Sequence, residues 1–368
     1  MAMHTICFIL SSIHGVHGVR RIEEFVSQGY DVKVFGFDRG KNSQTKYAGF
    51  EIEIIGSFDD TLPYIKRLPL LRKGILEARA KVDEQGTVWY YLGLDIAFLS
   101  KILNRGCPYI YEEADLTYTY FRFTLLKSVF KCIDKYVIRK SLQTVLTSDG
   151  FVQFLFNNGK PDNVFIITNR MNSNVLSILL EQKVPLDMQH LKFGFVGSVR
   201  FDSIYQFVKT IVQKFPQHQV LIYGTIDDKY SERYNALTKY KNFTFLGRFS
   251  NPIDLPKIYA SLDLVISTYD VCYDNVKYAE PNKLYEAVYF ETPIIATKGT
   301  FLASEVEELG VGYSVEAMNE DAVTRFVSDL TETSLQQKID NCHKIDKSLC
   351  INENQSFFNI LRKKMEHL

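Results

Sequence analysis

The stretch Glu280-Pro281-Asn282-Lys283-Leu284-Tyr285-Glu286 gathers two carboxylates, an amide and a lysine within about two helical turns. Proline is favoured at the first helical position, so the order predicts Glu280 as N-cap, with Asn282 and Lys283 as the second and third helical residues. A cation is unfavourable there, because the aligned peptide dipoles leave a partial positive charge at a helix start. The same alignment, with the N–H groups of Asn282, Lys283 and Leu284, makes an anion site. A bound phosphate would turn the lysine contact favourable. Glu286, one turn beyond Lys283, is placed to accept hydrogen bonds from ligand hydroxyls. The alternative is an i,i+3 surface ion pair between Lys283 and Glu286, contributing roughly 0.2–0.5 kcal/mol.

Other turns carry ligand-type residues. Gly197-Ser198-Val199-Arg200 closes the run KFGFVGS; the glycine lets backbone amides approach a ligand, and Arg200 can fork onto phosphate oxygens. Gly247-Arg248-Phe249 closes FTFLG. Near the start, His14-Gly15-Val16-His17-Gly18 follows ICFIL. The two histidines have a spacing open to a metal, but no partner cluster follows, so no metal site is expected. The chain has no Gly-x-x-x-x-Gly-Lys-Ser/Thr loop, no complete dinucleotide fingerprint and no Gly-x-Ser-x-Gly elbow.

Short β-branched and aromatic runs must position these turns. A first series lies at 6–10, 32–37, 51–55, 87–92, 109–113, 144–148 and 164–168, and a second at 192–198, 219–224, 243–247, 263–268 and 293–297. Runs of this kind suit parallel strands buried on both faces, with helices as crossovers. The expected fold class is therefore α/β, with two doubly wound Rossmann-like domains at 1–180 and 190–350. The segment 351–368 is expected to be a helix packing back on the first domain. Open parallel sheets bind ligands beyond the carboxyl ends of their strands, which makes a cleft faced by both sheets the expected site.

The 368 residues suffice for two cores. Lys+Arg and Asp+Glu both number 43, so net charge gives no argument for nucleic-acid binding. The six cysteines form no Cys-x-x-Cys pair, which suits free thiols in a reducing compartment. The first nineteen residues carry no Lys, Arg, Asp or Glu, but their apolar run is short and reads as a buried strand rather than a signal peptide. No run approaches the roughly 20 apolar residues of a membrane span. A cytoplasmic location follows as the expectation.

The segment PNKLYEAVYFETPIIAT, the FVGSVR turn and the landmarks PYIYEEADL, LTSDGF and VFIITNRMN, in that order, resemble the retaining group 1 glycosyltransferases of the GT-B fold. The similarity covers most of the chain. It is nearest to the bacterial enzymes of capsule, exopolysaccharide and O-antigen synthesis. The resemblance implies a metal-independent hexosyltransferase with no cofactor. Its donor would be a nucleoside-diphosphate sugar, UDP favoured, and its acceptor lipid-linked or an oligosaccharide. Arg200 and the helix start, with Asn282, Lys283 and Leu284, would hold the diphosphate, and Glu286 the ribose hydroxyls. Gly247, Arg248 and Phe249 would hold the base. Gly15 and Gly18 would lie against the diphosphate and sugar, and Asp115 would face the reacting sugar or acceptor.

The chain departs from the family at Tyr278, Ser203 and Ala114, which replace a glutamate, a phosphate-binding lysine and a histidine. Glu280 is the expected stand-in for the missing glutamate at the donor sugar, and Lys283 for the missing lysine. Glu291 replaces the glycine that ends this helix; a left-handed backbone there would carry strain of roughly 1 kcal/mol. Two other function classes stay open: a nucleotide-sugar epimerase of the same fold, and a non-catalytic sugar-nucleotide-binding homologue.

Two basic stretches, 62–81 and 117–140, each carry six Lys/Arg against a single acid. In the second, Lys127, Lys131, Lys135 and Arg139 recur every fourth residue, opposite Leu126, Val129, Phe130, Ile133 and Val137. One reading is a solvated face over a core face. The other is peripheral attachment to anionic lipid at the inner face of the cell membrane, for which 62–81 is the better candidate.

Overall fold

The computed structural model describes residues 5–40, 44–59, 61–83, 85–103, 106–157 and 159–368. These divide into two compact units. Unit 1 takes residues up to Thr147 together with Val152–Ile167 and Glu353–Leu368; unit 2 takes Ser148–Phe151 and Thr168–Asn352.

Unit 1 contains strands β1 (Thr5–Leu10), β2 (Asp31–Asp38), β3 (Lys46–Tyr47), β4 (Phe50–Ser57), β5 (Thr87–Leu92), β6 (Tyr109–Glu113), β7 (Gln143–Leu146) and β8 (Val164–Ile166). Their sheet order is β3-β4-β2-β1-β5-β6-β7-β8, parallel except for the short β3, which pairs antiparallel with β4. The order reverses at β1, between β2 and β5, so the loop after β1 opens at a topological switch point. Phe8, Phe25 and Tyr90 pack in the core, and the helix Gln355–Met365 adds Phe357 and Phe358, the latter 5.0 Å from the Phe25 centroid. Aromatic side chains thus supply much of this core.

Unit 2 contains β9 (Lys192–Val199), β10 (Gln219–Ile226), β11 (Phe243–Gly247), β12 (Leu264–Ser267), β13 (Ile294–Thr297) and β14 (Gly312–Val315). They form a wholly parallel sheet, β11-β10-β9-β12-β13-β14, with the switch beside β9. The doubly wound α/β expectation is met in both units. The strand β14 is additional to the runs read from the sequence. Its Gly312 lies against β13, where an added Cβ would come 1.9 Å from the Ile294 carbonyl oxygen. Close strand contact demands the glycine, and the glycines in GVGYSV dilute the strand signal.

The helix Thr124–Lys140 departs from the expected solvated basic face over a core face. Val137 and Ile138 are buried, but Leu125 is 79% exposed, Val129 47% and Leu126 40%, and Phe123 just before the helix is 70% exposed. Lys131 and Lys135 instead lie over the rings of Phe154 and Phe156, at 3.9 and 5.7 Å. The helix thus turns apolar side chains outward and part of its basic stripe onto neighbouring aromatics. The helix Tyr64–Ala80 exposes fewer large apolar side chains, chiefly Ile65 and, at the margin, Leu70 and Leu76.

Candidate active site

In unit 2 Lys283 packs beside the end of β9, and Arg200 directly follows that strand. The helix over this segment is Asn282–Tyr289, with Pro281 rather than Glu280 as N-cap. Pro281 has extended backbone (ψ 153°), one residue later than expected, so Asn282 and Lys283 are the first and second helical residues. The Leu284 N–H is taken by the Pro281 carbonyl at 3.2 Å, and its side chain is buried in the core. The anion-facing part of the helix start is therefore narrower than the sequence suggests.

Lys283 does not lie on the surface. It is 8% exposed, with its ammonium 4.9 Å from the centroid of the Phe195 ring in β9. It also sits beside Gly197, where an added Cβ would come 3.1 Å from Nζ. Gly197 itself has φ +141°, and the neighbouring Gly224 in β10 could not carry a Cβ without meeting the Gly197 carbonyl oxygen at 1.9 Å. Two glycines thus let the strand ends and the lysine crowd together. The surface ion pair with Glu286 is set aside by this burial.

Glu286 is 2% exposed. Tyr259 Oη donates to its Oε2 at 2.6 Å and Asn282 Nδ2 to its Oε1 at 2.7 Å. Burial raises its pKa, opposed by Tyr259, Lys283, Asn282 and Asn251. A carboxylate has about four lone-pair sites, so these two bonds orient the group without exhausting it.

Arg200 is exposed, its guanidinium 5.5 Å from the Phe201 ring. Where the resemblance leads one to expect a lysine, Ser203 is fully buried. It sits in the first turn of the helix Asp202–Lys214, and its N–H donates to Asp270 Oδ1 at 2.8 Å. The carboxylate of Asp270 thus supports that helix start. Gly247, at the end of β11, has φ +78°; Arg248 is exposed, and Phe249 is half-buried against the core.

Glu280 is buried, and Tyr285 Oη donates to its Oε1. Burial pushes its pKa up to about 7; Tyr285 and Arg170 oppose the rise, while Glu305 and Asp149 add to it. Tyr285 thus orients the side chain, and the Glu280 backbone carbonyl accepts from Asn169 Nδ2 at 3.1 Å. Tyr278 contributes backbone: its carbonyl accepts from Ser148 Oγ at 2.7 Å, and a Cβ on Gly150 would come within 2.2 Å of that oxygen.

At the other end of this helix, Glu291 has φ 53°, the left-handed conformation expected from its position. Its N–H donates to Val288 and the Thr292 N–H to Ala287, the paired bonds of a Schellman cap. Its side chain pairs with His343 Nδ1 at 2.8 Å and Lys347 Nζ at 3.2 Å. Glu291→Ala and Glu291→Gly both lose those pairs, but only glycine removes the backbone strain. Chemical denaturation should find the glycine variant more stable by about 1 kcal/mol.

In unit 1 a cavity of about 400 Å³ opens at the β1 and β6 strand ends, lined among others by Gly15, His17, Gly18, Glu112, Glu113 and Asp115. Gly15 is the N-cap of the helix Val16–Ser27 and is exposed. Gly18 is buried in the first turn, where a Cβ would press on Leu10 and Leu92 at 3.2 and 3.4 Å. It serves packing of the helix on β1 and β5. Asp115 is exposed at the cavity. His14 and His17 each face a carboxylate rather than each other: Asp38 Oδ1 at 3.1 Å and Glu112 Oε1 at 2.6 Å. Among the described residues no group of three or more His, Cys, Asp or Glu is arranged to hold a metal ion.

The sequence reading missed the buried acids ending β6. Glu112 is 1% exposed and receives Arg21 through Nε at 3.1 Å and Nη2 at 3.0 Å, and also Tyr90 Oη. Burial opposes its ionisation, but Arg21 and His17 hold it well below the usual carboxylate range. The available signal was the pair of glutamates closing the buried run YIYEE: alternation along a strand sends them to opposite faces, each needing a partner.

Residues 180–347 match the family model described as "Glycosyl transferases group 1". The match spans just under half of the chain. The whole chain is similar in fold to several solved structures. Sucrose-phosphate synthase from Thermosynechococcus elongatus aligns with TM-score 0.73 at 14% identity, covering 99% of this chain and 100% of that one. Anabaena HepE, solved with UDP and glucose, gives 0.68 at 15%, covering 98% and 99%. The lipopolysaccharide outer core galactosyltransferase WaaB gives 0.62 at 13%, again covering 98% and 99%. The fold is GT-B, with two Rossmann-like sheets. No curated protein matches the chain in sequence. Among the described residues no helix is long and apolar enough to cross a membrane.

Proposed function

We propose that this glycosyltransferase moves a sugar from a nucleoside-diphosphate sugar, UDP favoured, to a lipid-linked or oligosaccharide acceptor, with retention, in bacterial surface polysaccharide synthesis. The observation that carries the reading is Lys283, buried at a helix start beside Gly197 with Glu286 one turn on. A lysine sequestered beside a positive dipole end is a poor arrangement for an empty protein and a good one for a diphosphate. Support comes also from the neighbours: HepE was solved with UDP-glucose, and WaaB is named as a galactosyltransferase of the lipopolysaccharide outer core.

In the transfer, the bond from the anomeric carbon to the diphosphate breaks as the acceptor oxygen bonds on the same face. The departing phosphate takes the acceptor's proton. Lys283, Arg200 and the helix start supply preorganised positive charge where negative charge develops. On this reading protein cations stand in place of a metal. A thermal-shift screen of UDP-, GDP- and ADP-sugars tests the donor class, since a ligand bound only by the native state raises its apparent stability. The UDP-sugars are expected to give the largest shift; none from any sugar nucleotide would contradict the reading.

The outward apolar residues Phe123, Leu125, Leu126 and Val129 beside basic Arg122, Lys127, Arg139 and Lys140 favour peripheral attachment to an anionic bilayer at the cytoplasmic face. Each basic residue near such a surface adds about 1 kcal/mol, screened by salt. Co-sedimentation should be strong with phosphatidylglycerol vesicles at low salt, weak with phosphatidylcholine and reduced in Leu125→Glu. Equal binding by the variant would place attachment elsewhere.

A further inference from the structure

A second buried acid network lies on the opposite face of β6 from Glu112. Tyr111 Oη is hydrogen-bonded to Glu113 Oε2 and lies 3.0 Å from Asp134 Oδ1, while Tyr118 Oη donates to Asp134 Oδ2 at 3.0 Å. All four side chains are at most 2% exposed. A phenol has one hydrogen to give. If both carboxyls were ionised, Tyr111 could satisfy only one, and two buried like charges would flank a single oxygen. One proton between the two acids resolves this: whichever acid carries it donates to Tyr111 Oη, and Tyr111 donates to the other.

The surroundings agree with that count. Burial, then Asp134, Asp115 and Asp95, push the Glu113 carboxyl well up. Burial lifts Asp134 to about 7, against the hydrogen bond from Tyr118 and the charge of Lys135. Of the two acids only Glu113 lines the unit 1 cavity, close to Asp115, Thr117 and Tyr118. Its Oε2 is engaged by Tyr111, leaving Oε1 as the oxygen for a ligand.

We propose that Glu113 is an acceptor-binding residue of this cavity, receiving a hydroxyl of a neutral sugar, and that it shares one proton with Asp134 through Tyr111. The two forms differ only in the direction of two hydrogen bonds. With the proton on Asp134, Glu113 is a carboxylate and a strong acceptor; with the proton on Glu113, its carbonyl oxygen accepts more weakly. The network keeps one negative charge throughout. Naming the ligand as the glycosyl acceptor rests on the function proposed above; the shared proton does not.

The test compares wild type with Glu113→Gln and Glu113→Ala in the full chain. The infrared difference between wild type and Glu113→Gln at pH 7 should show one protonated-carboxyl band that the variant lacks. Because both folded pKa values are raised, native stability should fall as pH climbs from the ordinary carboxylate range through about 7, and Glu113→Gln should flatten that fall. Binding of octyl glucoside and octyl galactoside, followed by saturation-transfer NMR, should weaken roughly tenfold in Glu113→Ala and less in Glu113→Gln. UDP binding should stay unchanged in both variants. Absence of the band and of the pH effect would overturn the shared proton. Equal glycoside binding by Glu113→Ala, or none by the wild type, would overturn the acceptor role. Failure of the donor reading shows separately, as absence of UDP binding to the wild type.

Discussion

Lys283→Met should weaken UDP binding by a factor of roughly 10 to 100, the loss of one charge-assisted hydrogen bond to phosphate. Methionine keeps most of the side chain's length over the Phe195 ring and removes the ammonium, so the fold should persist. The effect should grow with phosphate count, being larger for UDP than for UMP and absent for uridine. Isothermal calorimetry on the three ligands measures this directly. Equal UDP affinity in variant and wild type would mean that Lys283 is merely packed against its strand. Ser203 gives the expectation its weight: it is fully buried, so the cation missing there cannot be supplied from that position.

The largest loss of stability should come from unit 1, in Arg21→Met. Arg21 is 3% exposed and Glu112 1%, and the substitution would leave a buried carboxylate with only His17 and Tyr90. Breaking one side of such a pair costs about 3–5 kcal/mol, whereas replacing both partners with apolar residues is often near neutral. Arg21→Met with Glu112→Leu should therefore recover much of the loss, read by urea denaturation. The same pair sets an acid limit. Glu112 has a depressed folded pKa, so its contribution is complete above the ordinary carboxylate range, about pH 4. It is lost progressively as pH falls below that range. Glu112 and the Glu113–Asp134 pair thus act on stability in opposite pH directions, although Glu112 and Glu113 are neighbours in one strand.

Much of this architecture is legible in the sequence because parallel strands buried on both faces must be continuously apolar, as ICFIL and DLVIST are. The edge strand Gly312–Val315 is not, since the glycine its neighbour requires removes the pattern. The lysine at a helix start is legible through dipole physics, although the helix begins one residue later than proline preference suggests. Burial of Lys283 and Glu286 is a tertiary fact, decided by Gly197, Phe195 and Tyr259 far away in sequence. The acids of β6 are hidden for the same reason. Their partners Arg21 and Asp134 come from two helices, and a buried glutamate reads like any polar strand end until they are known. The helix Thr124–Lys140 shows the limit of amphipathic patterning: periodicity locates an apolar face without saying what covers it.

The most direct test of the account is transfer itself. The protein would be incubated with the UDP-sugar that gives the largest thermal shift and with an alkyl glycoside acceptor, and the products followed by proton NMR. The account predicts UDP release matched by a new glycosidic signal with the same anomeric configuration as the donor. A free nucleotide sugar converted to its epimer, with no acceptor modified, would contradict it.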